Sequence, residues 1–125
     1  MMRFIKILSR LALCSCALCL PGCKKAQATR VDASQPLEQS FQVEPETKQA
    51  IATVKASLQG GKYAEAARAM EPVLAGRKLT APQRVAVGLL FQQISQAVAA
   101  NPSLDSQELY DLRVKLAHAA RGERF

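Results

Sequence analysis

The sequence predicts a small all-α domain, and three observations favour this fold class. Alanine, leucine, glutamine and basic residues dominate the 125-residue chain and tryptophan is absent, a composition that favours helix over strand. From Pro45 onwards apolar residues recur at helical spacing, and no segment alternates as a strand does. Glycine and proline divide this part into short segments. We therefore predict about four antiparallel helices in residues 45–125, since short connections favour antiparallel neighbours.

The first two predicted helices are separated by Gly60 and Gly61. The first begins at Pro45, because proline suits the first turn of a helix. The second begins near Lys62 and is expected to kink or end early at Pro72, since proline lacks an amide donor. The apolar face of the first helix contains Thr47, Ile51, Val54 and Leu58, and that of the second contains Tyr63, Ala66, Ala67, Met70, Val73 and Leu74.

Two capping patterns mark the starts of the third and fourth predicted helices. Thr80 with Gln83, and Asp105 with Glu108, have the spacing of a capping box. Asn101 and the proline after it end the third helix. The apolar stripes are Val87, Leu90, Phe91, Ile94 and Val98 in the third helix, and Leu109, Leu112, Leu116, Ala119 and Ala120 in the fourth.

The stretch "VKASLQGGKYAEAARAMEPVL" resembles a tetratricopeptide-type helix hairpin over residues 46–75. In this resemblance Gly61 permits the tight turn, Tyr63 lies between the two helices and the small Ala66 lets them approach closely. The third and fourth helices do not repeat the pattern, because Ser95 stands one repeat length after Gly61. Two alternatives follow, a pair of divergent tetratricopeptide-like hairpins or a four-helix bundle, and a coincidental hairpin remains a third interpretation.

The N-terminus has the pattern of an export signal. Arg3, Lys6 and Arg10 precede the apolar run "LALCSCALCL" of residues 11–20, and Pro21 ends it. A short basic region followed by about 7–15 apolar residues is typical of a secretory signal. A permanent membrane-spanning helix needs roughly 20 apolar residues and is the weaker interpretation.

The end of this run, "LPGC" at residues 20–23, resembles the lipobox of bacterial lipoproteins. The resemblance implies a diacylglyceryl group on the thiol of Cys23, cleavage between Gly22 and Cys23, and acylation of the new amine. A partial match ending at Cys16 would leave too short an apolar run. Because Lys24 rather than aspartate follows the cysteine, the outer membrane facing the periplasm is favoured if the source has two membranes.

The predicted organisation is a signal at residues 1–22, a lipid-anchored flexible tether at 23–44 and the helical domain at 45–125. The tether shows no sustained period, and its polar composition suits a coil spanning roughly 25 Å. Phe41 and Val43 either dock on the domain or are exposed. All four cysteines lie at or before Cys23. Processing would therefore leave no cysteine-based metal site, and we expect no metal and no cofactor.

Few residues suit catalysis. His118 is the only histidine and has no carboxylate at helical spacing, and no glycine-rich phosphate loop follows a strand. We therefore expect no enzyme and no small-molecule substrate. Three of the 17 basic residues lie in the signal, which leaves 14 against 10 acidic residues. This net charge of +4 suits weak attraction to anionic surfaces and does not predict nucleic-acid binding.

Two hypotheses of function remain. The first is an anchored lipoprotein whose helical domain binds another protein or a second copy of itself, with Tyr110 at the rim of an apolar groove. The second is a structural envelope lipoprotein that contacts anionic polymer through Arg77, Lys78 and Arg84, which cluster around one loop. The alternative for this cluster is an ordinary solvated loop.

The anchoring hypothesis makes a prediction about the mature N-terminus. Mass spectrometry of the protein isolated from membranes is expected to show a chain that begins at Cys23 and carries diacylglyceryl and acyl groups, because two or three chains are needed for stable membrane residence. An unmodified Cys23, or an intact signal, would contradict the hypothesis.

Overall fold

A computed structural model describes residues 30–42 and 44–125, and within these residues the secondary structure is helical, without a strand. The predicted all-α class is confirmed. The described helices are α1 (Ser34–Ser40), α2 (Pro45–Gln59), α3 (Tyr63–Leu74), α4 (Ala81–Ala100) and α5 (Gln107–Ala120), with a short 3-10 helix (Pro102–Leu104) between α4 and α5. No described helix combines the length and apolar character that a membrane span requires.

The helices are arranged so that their contacts form a closed ring. Helices α2 and α3 pair as one hairpin, α4 and α5 pair as a second, and α3 packs on α5. Helix α1 contacts both α2 and α4 and so closes the remaining side. The largest fully buried side chains are Leu37, Val54, Met70, Val87, Leu90, Ile94, Leu109 and Leu116. All five helices therefore contribute to one core, and this common core places α4 and α5 side by side.

Helix α1 lies in the segment predicted to be a flexible tether, so the structure corrects that prediction for the described residues before Pro45. Leu37 is fully buried and Phe41 is 3% exposed. With Ala33 they recur every four residues and form one helix face. Pro36 does not disrupt the helix, because it lies in the first turn, where the amide has no intrahelical acceptor. Phe41 docks on the domain, whereas Val43 lies outside the described residues.

Side-chain amides of α4 hold the two ends of α1. The amide of Gln93 accepts from the backbone N–H of Ala33 at 2.9 Å, and Gln83 donates to the carbonyl of Ser40 at 3.2 Å. Helix α1 therefore runs antiparallel to α4. On the side of α1 that faces α2, Glu38 forms an ion pair with Lys55 of α2 at 2.9 Å. The five α-helices of residues 30–42 and 44–125 thus replace the predicted four.

Several predicted helix ends are confirmed. Pro45 lies in the first turn of α2, and Thr80 and Gln83 form the capping box of α4. Gly61 has φ +71°, the left-handed conformation that the turn into α3 requires. Helix α3 does not end early but continues to Leu74, past Pro72.

The second predicted capping box is wrong. Helix α5 is capped by Ser106, whose hydroxyl accepts from the N–H of Leu109 at 3.1 Å. The preceding 3-10 helix ends at Leu104, and the backbone N–H of Asp105 closes that turn. The carboxylate of Asp105 instead accepts a hydrogen bond at 2.8 Å from Arg113, which lies eight residues later, in α5. The N-cap of α5 is therefore Ser106, one residue after the predicted Asp105.

The packing of α1 generates a stability prediction. Leu37→Ala is expected to lower the free energy of unfolding by about 2–4 kcal/mol, because it removes a fully buried side chain and leaves a cavity. Urea unfolding followed by circular dichroism measures this change. The matched control is Gln39→Ala in the exposed face of the same helix, which is expected to change stability by less than about 0.5 kcal/mol. Equal effects of the two substitutions would contradict the docking of α1.

Candidate functional site

The candidate functional site is a groove between α4 and α5 on the outer surface of the helix ring. Its volume is about 280 Å³, and it is lined by Phe91 of α4, by Tyr110, Arg113, Val114, Ala117 and His118 of α5, and by Arg121 directly after α5. Tyr110 is 53% exposed and Val114 is 37% exposed. We call this surface the α4–α5 groove. Its concave apolar floor is the kind of surface on which another protein docks.

The sequence of α5 places two apolar stripes on one helix. Leu109, Leu112 and Leu116 face the core and are buried. Tyr110, Val114 and Ala117 follow at spacings of four and three residues, so they form a second stripe beside the first. The core covers only the first stripe. The second remains at the surface next to Phe91, where the α4–α5 groove forms.

Arg113 is fixed at one edge of the groove. Its guanidinium donates to Asp105 at 2.8 Å and lies 5.9 Å from the centre of the Tyr110 ring. The side chain is 17% exposed, and its Nε is buried without a hydrogen-bond partner among the described residues. A cation within about 6 Å of an aromatic face is attracted to it. Arg113 therefore orients the ring of Tyr110 at the groove rim.

A turn after α5 places a carboxylate at the other end of the groove. Gly122 has φ +81°, and the chain folds back so that Glu123 contacts both Arg121 and the Nδ1 of His118. Arg121 and, secondly, His118 lower the pKa of Glu123 to about 2. Sequence reasoning missed this partner of His118 because it considered only helical spacing. The glycine after the end of the helix was the signal that the chain turns back there.

The predicted basic cluster does not act as one group. Arg77 pairs with Glu44, and this contact, followed by the hydrogen bond from Thr47, lowers the pKa of Glu44. Arg84 instead packs against the turn after α5. Its guanidinium lies so close to Gly122 that a Cβ atom added to this glycine would be 3.0 Å from the Nη1 of Arg84. Lys78 is exposed and has no ion pair within the part of the chain that the structure describes. The three cations therefore have different surroundings.

The structure describes the three residues expected to pack the first hairpin, whose packing role stays a prediction. Gly61 forms the turn, Tyr63 is partly buried against the core and Ala66 is fully buried in the core. The tetratricopeptide resemblance itself stays a prediction. Comparisons of the chain with protein-family models, curated proteins and solved structures find no match. Arguments about function therefore depend on the residues and their geometry.

A second hollow, of about 570 Å³, lies beside the C-terminal half of α4 and includes Tyr63 and Asn101. Its side-chain amides are already engaged, because Gln93 accepts from Ala33 and Gln96 accepts from Val31. This hollow therefore serves to attach the chain entering α1. Among residues 30–42 and 44–125, no group of three or more His, Asp or Glu side chains is placed to bind a metal ion.

The contacts of Glu123 generate a pH prediction. Because its pKa is lowered to about 2, the contact with Arg121 contributes stability above pH 4.5, the ordinary value, and this contribution is lost as the pH falls toward 2. NMR titration of the side-chain carboxyl is expected to give a midpoint near 2. Arg121→Gln is expected to raise this midpoint toward 4.5. The control Arg124→Gln, which removes an adjacent exposed cation, is expected to leave it near 2, and an equal rise in both variants would contradict the assigned contact.

Proposed function

We propose that this chain is an exported bacterial lipoprotein, anchored through Cys23, whose helical domain binds another protein in the α4–α5 groove. The anchoring part is supported by the basic N-terminus, the short apolar run and the lipobox-like residues 20–23. The binding part is supported by one observation above all, the exposed apolar stripe of Tyr110 and Val114 in a concave surface. Tyrosine and arginine are, with tryptophan, enriched at the energetically dominant positions of interfaces.

The groove lining indicates the chemistry of the partner. Arg113, His118 and Arg121 line the groove, and the carboxylates that pair with them, Asp105 and Glu123, lie at its ends outside the lining. A segment that combines apolar side chains with acidic ones would therefore match both the floor and the rim. Arg113 and Arg121 already have intramolecular partners. Their charges would therefore favour an acidic partner over a basic one but would contribute little to the affinity. A groove of this size suits a weak complex that buries less than about 1,200 Å².

Self-association through this groove is the weaker alternative. If two copies met groove to groove, Arg113 and Arg121 of one copy would face the same arginines of the other, and this lining would offer them no acidic group beyond their intramolecular partners. The proposal therefore commits to a different protein with an acidic, apolar segment. If the source has two membranes, this partner would meet the domain in the periplasm.

The anionic-polymer hypothesis has less support. Arg77 is paired with Glu44 and Arg84 lies against Gly122, so only Lys78 of the three extends freely among the described residues. One exposed lysine gives little attraction at physiological salt. We do not propose catalysis, because the His118–Glu123 pair lies at the surface without a neighbouring nucleophile in the described part of the chain.

The protein-binding proposal predicts a site-specific contact. With a photoactivatable benzoylphenylalanine at position 110 of the full chain in living cells, illumination is expected to give one dominant adduct that mass spectrometry identifies as another protein. The control position is Val85, which is 64% exposed on α4 and does not line the groove. The adduct at position 110 is expected to fall at least tenfold when Val114→Asp is added, since a carboxylate removes the apolar floor and opposes an acidic partner.

Three results would contradict the proposal. They are no adduct at position 110, the same adducts at positions 110 and 85, or an adduct that consists of two copies of this chain. The variant Val114→Ala, which shortens the side chain without adding charge, keeps the test informative if the aspartate variant folds poorly. Its adduct is expected to fall by a smaller factor, about threefold to tenfold, with an unchanged circular dichroism spectrum.

A further inference from the structure

We propose that the carboxylate of Glu123 is a built-in competitor of the binding partner, because it occupies the His118 and Arg121 side chains to which an acidic side chain of that partner would bind. This inference rests on the proposed function and deepens it, since it states what restrains binding at the same site. A partner would place its apolar side chain on the floor of the α4–α5 groove and would displace Glu123 from its two contacts.

The first step is what the carboxylate of Glu123 contacts. Its Oε1 accepts from the Nε of Arg121 at 2.9 Å. Its Oε2 accepts from the Nη2 of Arg121 at 3.3 Å and also contacts the Nδ1 of His118. Arg121 and His118 both line the groove, whereas Glu123 lies outside the lining. The carboxylate therefore occupies the polar groups at this end of the groove and leaves the apolar floor accessible.

The second step is how the chain places this carboxylate. After α5, the N–H of Gly122 donates to the carbonyl of Ala119 at 2.9 Å, and the N–H of Glu123 donates to that of His118, also at 2.9 Å. These are the two hydrogen bonds of a Schellman motif, which the φ of +81° at Gly122 completes. The backbone of Glu123 is therefore fixed beside the groove. Rotation of its side chain alone would release Arg121 and His118.

The third step is the accessibility of these contacts. The side chains of Glu123, His118 and Arg121 are between 41% and 56% exposed, so a partner can reach them. The pair at the opposite end of the groove differs, because Arg113 is largely buried where it binds Asp105. Exposed ion pairs contribute little to stability. The contacts of Glu123 can therefore be exchanged for those of a partner with little loss of stability.

The fourth step is the distance between the apolar floor and these polar groups. Val114 and His118 are four residues apart in α5, which places them about 6 Å apart along the helix axis. Two consecutive residues of an extended peptide span at most about 7 Å. An acidic residue next to an apolar one is therefore long enough to contact the floor and to replace Glu123 at the same time.

The test uses N-acetyl-glutamyl-phenylalanine amide, a defined probe with this combination of side chains. Arg121 and, secondly, His118 lower the pKa of Glu123 to about 2, so the competing carboxylate is charged at pH 7. The probe is titrated into the full chain in detergent micelles, and the NMR shifts of residues 110–121 report binding. Glu123→Gln is expected to lower the Kd of the probe about twofold to fivefold, because an exposed ion pair of this kind no longer competes.

The matched control is Glu108→Gln in α5. This substitution removes the same charge, but the carboxylate of Glu108 pairs with Arg68 outside the groove. The control is expected to leave the Kd unchanged. Both substituted carboxylates are exposed, so both variants are expected to fold. The inference is overturned if Glu123→Gln does not bind the probe, if it binds no more tightly than the unchanged chain, or if Glu108→Gln gains as much affinity.

Crosslinking separates this inference from the proposed function. With benzoylphenylalanine at position 110, Glu123→Gln is expected to raise the yield of the partner adduct about twofold to fivefold, in line with the loss of one exposed ion pair. No adduct in either chain contradicts the proposed function. A clear adduct together with equal affinities for the probe contradicts the competition alone.

Discussion

The burial of one face of α1 between α2 and α4 is the constraint on which the rest of this structure depends. Without Leu37 and Phe41, the two hairpins would meet mainly where α3 packs on α5, and the faces of α2 and α4 that α1 now covers would be exposed. A domain of this size has a small core, so each fully buried side chain contributes a large share of its stability. The short helix thus completes the core and fixes the pairing of the hairpins.

The same packing decides what remains at the surface. Since α1, α2 and α3 occupy the other sides of the core, no further helix of the described residues covers the outer line of contact between α4 and α5. The second apolar stripe of α5 is left there, with Arg113 and Arg121 at its edges. The packing of the other helices against the core therefore decides where the α4–α5 groove lies.

Much of the fold was predictable from local sequence patterns, and particular residues show which features could not be predicted. Pro45, Gly61 and the Thr80–Gln83 box lie where the sequence analysis placed them, because capping and turn geometry depend on neighbouring residues alone. Tyr110 lies beside a surface groove, and its role in binding stays a prediction. Helix α1 was missed because seven polar-rich residues around Pro36 are not stable as a helix without a partner surface. The loop cations were grouped by sequence distance, and the fold directed Arg77 and Arg84 to different neighbours.

By itself the sequence determined the all-α class, most helix ends, the apolar faces and the lipobox-like N-terminus, since each depends on residues within a few positions of one another. The tertiary structure decided which apolar stripe of α5 became core and which became groove. It also decided that Leu37 is buried and that Glu123 returns to His118 and Arg121. These outcomes depend on contacts with α2, α3 and α4, or on a chain reversal at Gly122. Burial is a property of the packed helices together, and no local pattern specifies it.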